Sequence, residues 1–325
     1  AVAGSRRSAA AERLVAEMRA VVEGAGDARV ATAFTRDHGI ALFLLGRFAE
    51  ARPLLERADA ELRARPDGAG WERDALARFL ARVYAWQGDL PALAAYAGAH
   101  VRDADTRGDT TIAVQLRLRT EHVLRLRDDA ADGLGDDLDG LLATVARPGF
   151  PFPTFVHLLA VAEVDLYRGA AADAWNRVVR TWPSVVKTMV FRVQVSRIEG
   201  AYLRGRCALA VLATLPAGDA RRGRYEAIAW RERRALTRER VAWAEALGMV
   251  LEAVETRVTG RGGAAAKLLA AAVALEAAGT CLHAAAARLR AGEWNGRPDE
   301  AARAWMTARG VEDPERFARV YVPGP

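Results

Sequence analysis

Between residues 33 and 58, small and large apolar residues recur at the spacing of two helices joined by a tight turn. Gly39 and Leu42 fall in the first run, Gly46-Arg47 interrupts it, and Phe48, Ala51, Leu55 and Ala58 share one face of the second. The same order returns with Ala81 and Tyr84, the turn Gly88-Asp89, then Leu90, Leu93 and Ala97. A weaker third copy predicts helices over 111–126 and 134–145 about an acidic turn at Asp128-Asp129. A fourth turns at Gly169, between helices over 155–167 and 172–182. Pro66-Asp67-Gly68, Pro148-Gly149 with Pro151 and Pro153, Trp182-Pro183 and Pro216-Ala217-Gly218 read as breaks between helices.

After Gly218 the pattern changes. Trp230, Leu236, Val241, Trp243 and Leu247 predict one long charged helix over 220–258, broken by the glycines at 260–263. Helices over 264–278 and 281–289 follow, then a compact tail. Alternating strand-like runs of Val, Ile and Thr are hard to find, and the common residues are strong helix formers.

The order of small and bulky residues in the first two units resembles the tetratricopeptide repeat. The turns recur about every forty residues, longer than the roughly 34 of that repeat and nearer armadillo-like lengths. The expected fold is therefore all-α: a tetratricopeptide-like α-solenoid of antiparallel helix pairs with a helical C-terminal cap. Residues 1–218 form the degenerate repeats. Residues 219–325 form further helical repeats and the cap, continuous with the solenoid, because a solenoid end must be covered.

The chain carries 47 Lys+Arg against 41 Asp+Glu, a net charge of +6. Lysine occurs only at Lys187 and Lys267, so the basic charge is almost all arginine, interleaved with acids along the whole length. That bias reads as a GC-rich genome, and no nucleic-acid surface is expected. Cys207 and Cys281 have neither metal nor redox spacing. The apolar run 268–275 is too short to span a bilayer, and without a secretory signal the expected compartment is the cytoplasm. The chain opens on Ala1, which points to a segment of something larger.

The tail reads Trp305-Met306, then Gly310-Val311, then Pro314-Glu315-Arg316, and closes on Pro323-Gly324. Physically it is one helix stopped at Gly310 and another capped by Asp313, with Pro314 in its first turn. This order resembles the carboxyl terminus of large myxobacterial serine/threonine protein kinases, as do the segments 201–206 and 284–290. The resemblance implies a regulatory or scaffolding region of a multidomain kinase, with ATP and magnesium needed only by the parent's kinase domain. The alternative is a sensor or scaffold array on a signalling ATPase or transcriptional activator.

No catalytic site is found here. The glycine-rich loop, His-Arg-Asp and Asp-Phe-Gly of a kinase are missing from the sequence. The loop 260–267 places Ala266 and Leu268 where a phosphate loop needs glycine and Ser/Thr. His38, His100, His122, His157 and His283 lack metal-ligand pairing, and the acids from Asp128 to Asp139 lack calcium-loop order. No cofactor or metal is therefore expected. What remains is binding of a protein or peptide partner, with self-association left open. In tetratricopeptide arrays the first helix of each pair lines the groove. That resemblance places Arg36, Ile40 and Phe43 there in the first unit, Arg78, Arg82 and Trp86 in the second, and Arg119, His122 and Arg125 in the third. Such a groove favours the carboxylates of an acidic peptide.

Overall fold

A computed structural model describes residues 8–65, 70–147 and 151–325 of the chain. The predicted breaks at Pro66-Asp67-Gly68 and Pro148-Gly149, like Ala1, lie outside these residues. Among them are sixteen α-helices and no strand. The first is α1 (Ser8–Ala25). Seven hairpins follow: α2 (Ala28–Leu44) with α3 (Phe48–Arg63), α4 (Gly70–Gln87) with α5 (Leu90–Thr106), α6 (Thr110–Arg127) with α7 (Leu134–Val145), and α8 (Phe152–Tyr167) with α9 (Ala171–Val186). A 3₁₀ turn over Met189–Arg192 leads to α10 (Gln194–Thr214) with α11 (Arg222–Arg238), α12 (Ala242–Val258) with α13 (Ala264–Ala277), and α14 (Cys281–Trp294) with α15 (Glu300–Thr307). Helix α16 (Pro314–Tyr321) ends the chain.

The turns explain why the hairpins form. The Arg47 N–H donates to the Leu42 carbonyl and the Asp89 N–H to that of Tyr84, with glycine in the left-handed conformation between the helix end and the donor. The same bond recurs from Ala170 to Asp165, Thr280 to Leu275 and Val311 to Met306. The next helix is then often capped by aspartate. Asp89, Asp109, Asp299 and Asp313 each accept a backbone N–H from the first turn of the helix they precede.

Packing sorts the helices into two layers. Helices α2, α4, α6, α8, α10 and α12 contact one another in succession, whereas α3, α5, α7, α9, α11 and α13 lie against the flanks of this inner layer. An outer helix is apolar on one face, as in α9, where Ala174, Trp175, Val178 and Val185 are buried. The inner α8 and α10 are buried almost all round. The fold is an all-α solenoid of antiparallel helix pairs.

The array does not stay open. Helix α14 packs on α4, and α16 packs on both α8 and α14. The C-terminal helices lie across the turns of the first hairpins. The Trp243 indole covers Gly46 and the Trp305 indole covers Gly88, so closely that a Cβ on either glycine would collide with the ring. One continuous apolar core accordingly runs from Leu42 to Val322, across residue 218.

Two local expectations are corrected. The segment 220–258 is a hairpin and not one helix. Arg240 takes a left-handed φ of 53°, and the Glu239 carboxylate is gripped by Arg197 at 2.6 and 2.7 Å, with Gln194 donating to the Glu239 carbonyl. Turning the chain lets α11 and α12 pack on each other and on α10. Trp182-Pro183 is not a break: Pro183 lies inside α9 near its end. Helix α1 and the full extent of α10 go beyond the sequence reading.

Candidate functional site

Where α4, α6, α8, α10, α12 and α14 converge beneath the C-terminal tail, they enclose a cavity of about 100 Å³. Of the nine residues expected in the groove, Arg82, Trp86, Arg119 and His122 line it. Phe43 stands behind it, stacked on Trp86 at 5.7 Å between centroids. Arg78 donates to the Gln115 side chain at 3.1 Å, outside the wall. Ile40 is half-buried against the core. Arg36 pairs with Asp37 and lies over the Trp71 ring. Arg125 faces elsewhere: its guanidinium clamps the α6–α7 turn through Asp137 and the carbonyls of Ala130 and Asp132.

The rest of the wall comes from residues the sequence reading did not single out as site residues. Arg206 on α10 is the hub. It is 3% exposed, and it donates to the Glu163 carboxylate at 2.8 Å and to the Val320 carbonyl at 2.6 Å. His122 brings Nε2 to 3.3 Å from the other Glu163 oxygen. Burial pushes the Glu163 carboxyl up, but Arg206 and His122 outweigh it and hold it at about 2. Tyr202 donates its hydroxyl to the Tyr321 carbonyl at 2.7 Å. Through Val320 and Tyr321, two inner-layer side chains hold the tail.

A second ion pair joins Arg82 on α4 to Glu199 on α10. Arg82 also lies over the rings of Trp86 at 4.7 Å and Phe43 at 5.2 Å. Trp86 meets Trp243 at 4.8 Å and Phe48 at 4.5 Å, so one side of the cavity is an aromatic cluster. His283 on α14 packs its ring on Tyr321 at 4.7 Å. Burial, then Arg206, push its imidazole down to about 3, so it is neutral.

Arg119 differs from its neighbours. It reaches the cavity beside Arg82, its guanidinium over the Phe152 ring at 4.9 Å, and no carboxylate among the described residues pairs with it. Burial, then the nearby Arg78, lower its pKa to about 10. The Nδ1 atoms of His122 and His283 are also buried without a partner.

One signal for the missed residues was available: a charge inside an otherwise apolar helix. Glu163 in α8 fits that description, whereas α10 and α14 carry other charges, Arg197, Glu199 and Arg204 in the one and Arg288 and Glu293 in the other, which hide Arg206 and Arg290 among them. Arg290, 2% exposed, donates to the carbonyls of Val322 and Gly324 and so holds the chain end. Elsewhere, Lys267 of the glycine loop pairs with Glu252 at 2.5 Å. Asp129 of the acidic turn accepts from Tyr167 and Arg316. Among the described residues no His, Cys, Asp and Glu group is arranged to hold a metal, and no helix is long and apolar enough to cross a membrane. Cys207 is fully buried, which pushes its thiol up to about 12.

Comparison with protein-family profiles, curated proteins and solved structures finds no match.

Proposed function

We propose that this chain is a non-catalytic regulatory module of a larger bacterial signalling protein, with a serine/threonine kinase as the leading parent. The observation that carries the reading is the closure itself. The tail whose residues resemble those of the kinases is the element that seals the solenoid. Asp313 caps α16, Arg316 reaches the Tyr167 carbonyl and Asp129, and the carbonyls of Val320 and Tyr321 are taken by Arg206 and Tyr202. The tail is held by directed polar contacts as well as by apolar packing, and its release would open the inner face, the second arrangement that a switch needs.

The sensor alternative draws support from the cavity. A small, partly polar space suits a small effector better than an extended peptide, whose path along the inner face is occupied by α16. A protein partner then engages the module from outside. The test is removal of this chain from its parent: the parent's activity or targeting is expected to change. Unchanged activity and targeting would overturn the reading, and a parent with an ATPase module and no kinase domain would select the alternative.

A further inference from the structure

The charges around the cavity do not balance. Arg206 is answered by Glu163 and Arg82 by Glu199. His283 is neutral, and His122 already faces Glu163. Arg78, outside the wall, has Asp74 as its offsetting charge. Arg119 alone has no counter-charge, although it is half-buried in the cavity wall and placed among like charges. An unpaired guanidinium that still has accessible donors is open to an anionic partner, and no ion pair of the fold depends on it. Its only packing contact of note is the Phe152 ring.

The geometry points to a binding site for a small monocarboxylate, its carboxylate held by Arg119 and its short apolar portion against Trp86, Trp243 and Leu247. This deepens the regulatory reading above and rests on it for its biological meaning. Three features choose the ligand class. The spare charge is a single guanidinium, whose fork matches a carboxylate. Glu163 and Glu199 lie in the same wall and repel a second negative charge, which disfavours a phosphate dianion. The volume, about 100 Å³, scales to about four non-hydrogen atoms, given that a cavity of about 150 Å³ accepts benzene, so a carboxylate with one or two further carbons fills the cavity and its mouth.

The wall also reports on occupancy, since Trp86 and Trp243 face the ligand. Titrating the full chain with propionate, and separately with propionamide and inorganic phosphate, is the direct experiment. Propionate is expected to change tryptophan emission and raise the melting temperature at millimolar concentration, with propionamide and phosphate weaker by about tenfold or more. In Arg119→Gln the melting temperature of the free protein stays about the same or rises, because no ion pair is lost and a charge beside Arg78 and Arg82 is removed, while the propionate response is lost. Arg125→Gln, outside the cavity, keeps the response. The proposal is overturned if propionate has no effect, leaving a cavity that holds only water, if phosphate competes it out, or if Arg119→Gln binds propionate as the parent sequence does. None of those results touches the deletion test of the regulatory reading, so the two fail separately.

Discussion

The two ends of this solenoid meet solvent in opposite ways. At the amino-terminal end, α1 lies on α2 with Leu14 56% and Val21 71% exposed, and Met18 and Val30 are exposed beside them. At the carboxyl end, Met306, Val311, Phe317, Val320, Tyr321 and Val322 are all buried. Both ends have the same problem, because a helical repeat has an apolar face that its missing neighbour would cover. The carboxyl end solves it by folding back over the turns of the first hairpins. The difference teaches that capping and site formation are one event here: the helices that cover the end also roof the cavity.

The sharpest way to break this comparison is to loosen the tail. Phe317→Ala removes a fully buried ring from α16 and is expected to cost about 3–5 kcal/mol in urea denaturation. Arg206→Met removes the Arg206 partner of the Glu163 carboxylate and frees the Val320 carbonyl of the tail, with an expected loss of similar size. A cost below about 1 kcal/mol for both would mean that the tail is not part of the cooperative core.

Gly88→Ala tests the seam between the ends. It forces a side chain into a left-handed φ of 74° and pushes against Trp305, so about 2 kcal/mol should be lost. Equal stability of this variant and the parent sequence would show that Trp305 can leave without consequence.

Acid sharpens the comparison further. His283 has a folded pKa of about 3 against 6.5 unfolded, so below pH 6.5 the unfolded chain binds the proton first and stability falls as pH drops toward 3. Glu163, held at about 2 against 4.5, loses its stabilising contribution only as pH falls below 4.5. Between pH 7 and pH 5 the parent sequence should therefore lose about 2 kcal/mol that His283→Phe does not lose. Identical pH profiles would place His283 in contact with water.

The smallest effect belongs to the amino-terminal end. Leu14→Ser and Val21→Ser should each stay within about 0.5 kcal/mol, as exposed positions do. A cost like that of Phe317→Ala would erase the contrast between the ends.

How much was legible varies by element. Gly46, Gly88 and Gly169 announced their turns, because left-handed backbone after a helix selects glycine, and Asp313-Pro314 announced α16. The break at Arg240 was illegible, since neither glycine nor proline marks it and its cause is Glu239 being held by Arg197 and Gln194. At the site, the tetratricopeptide resemblance placed Arg82, Trp86, Arg119 and His122 in the groove, and these four line the cavity. The same resemblance placed Arg125 there too, and only its contacts with Asp137 and the turn carbonyls show that it serves the α6–α7 turn.

The sequence by itself determined the helices, most of their ends, and which faces are apolar, because propensity, capping and periodicity act within a few residues of one another. Tertiary structure decided that the inner face is closed and that Arg206 from one half holds the tail of the other. It also decided that Arg119 is left without a counter-charge. Those outcomes depend on contacts between residues more than a hundred positions apart, such as Arg206 with Val320 and Tyr202 with Tyr321. No local pattern encodes them, since the same amphipathic helices could stack into an open superhelix.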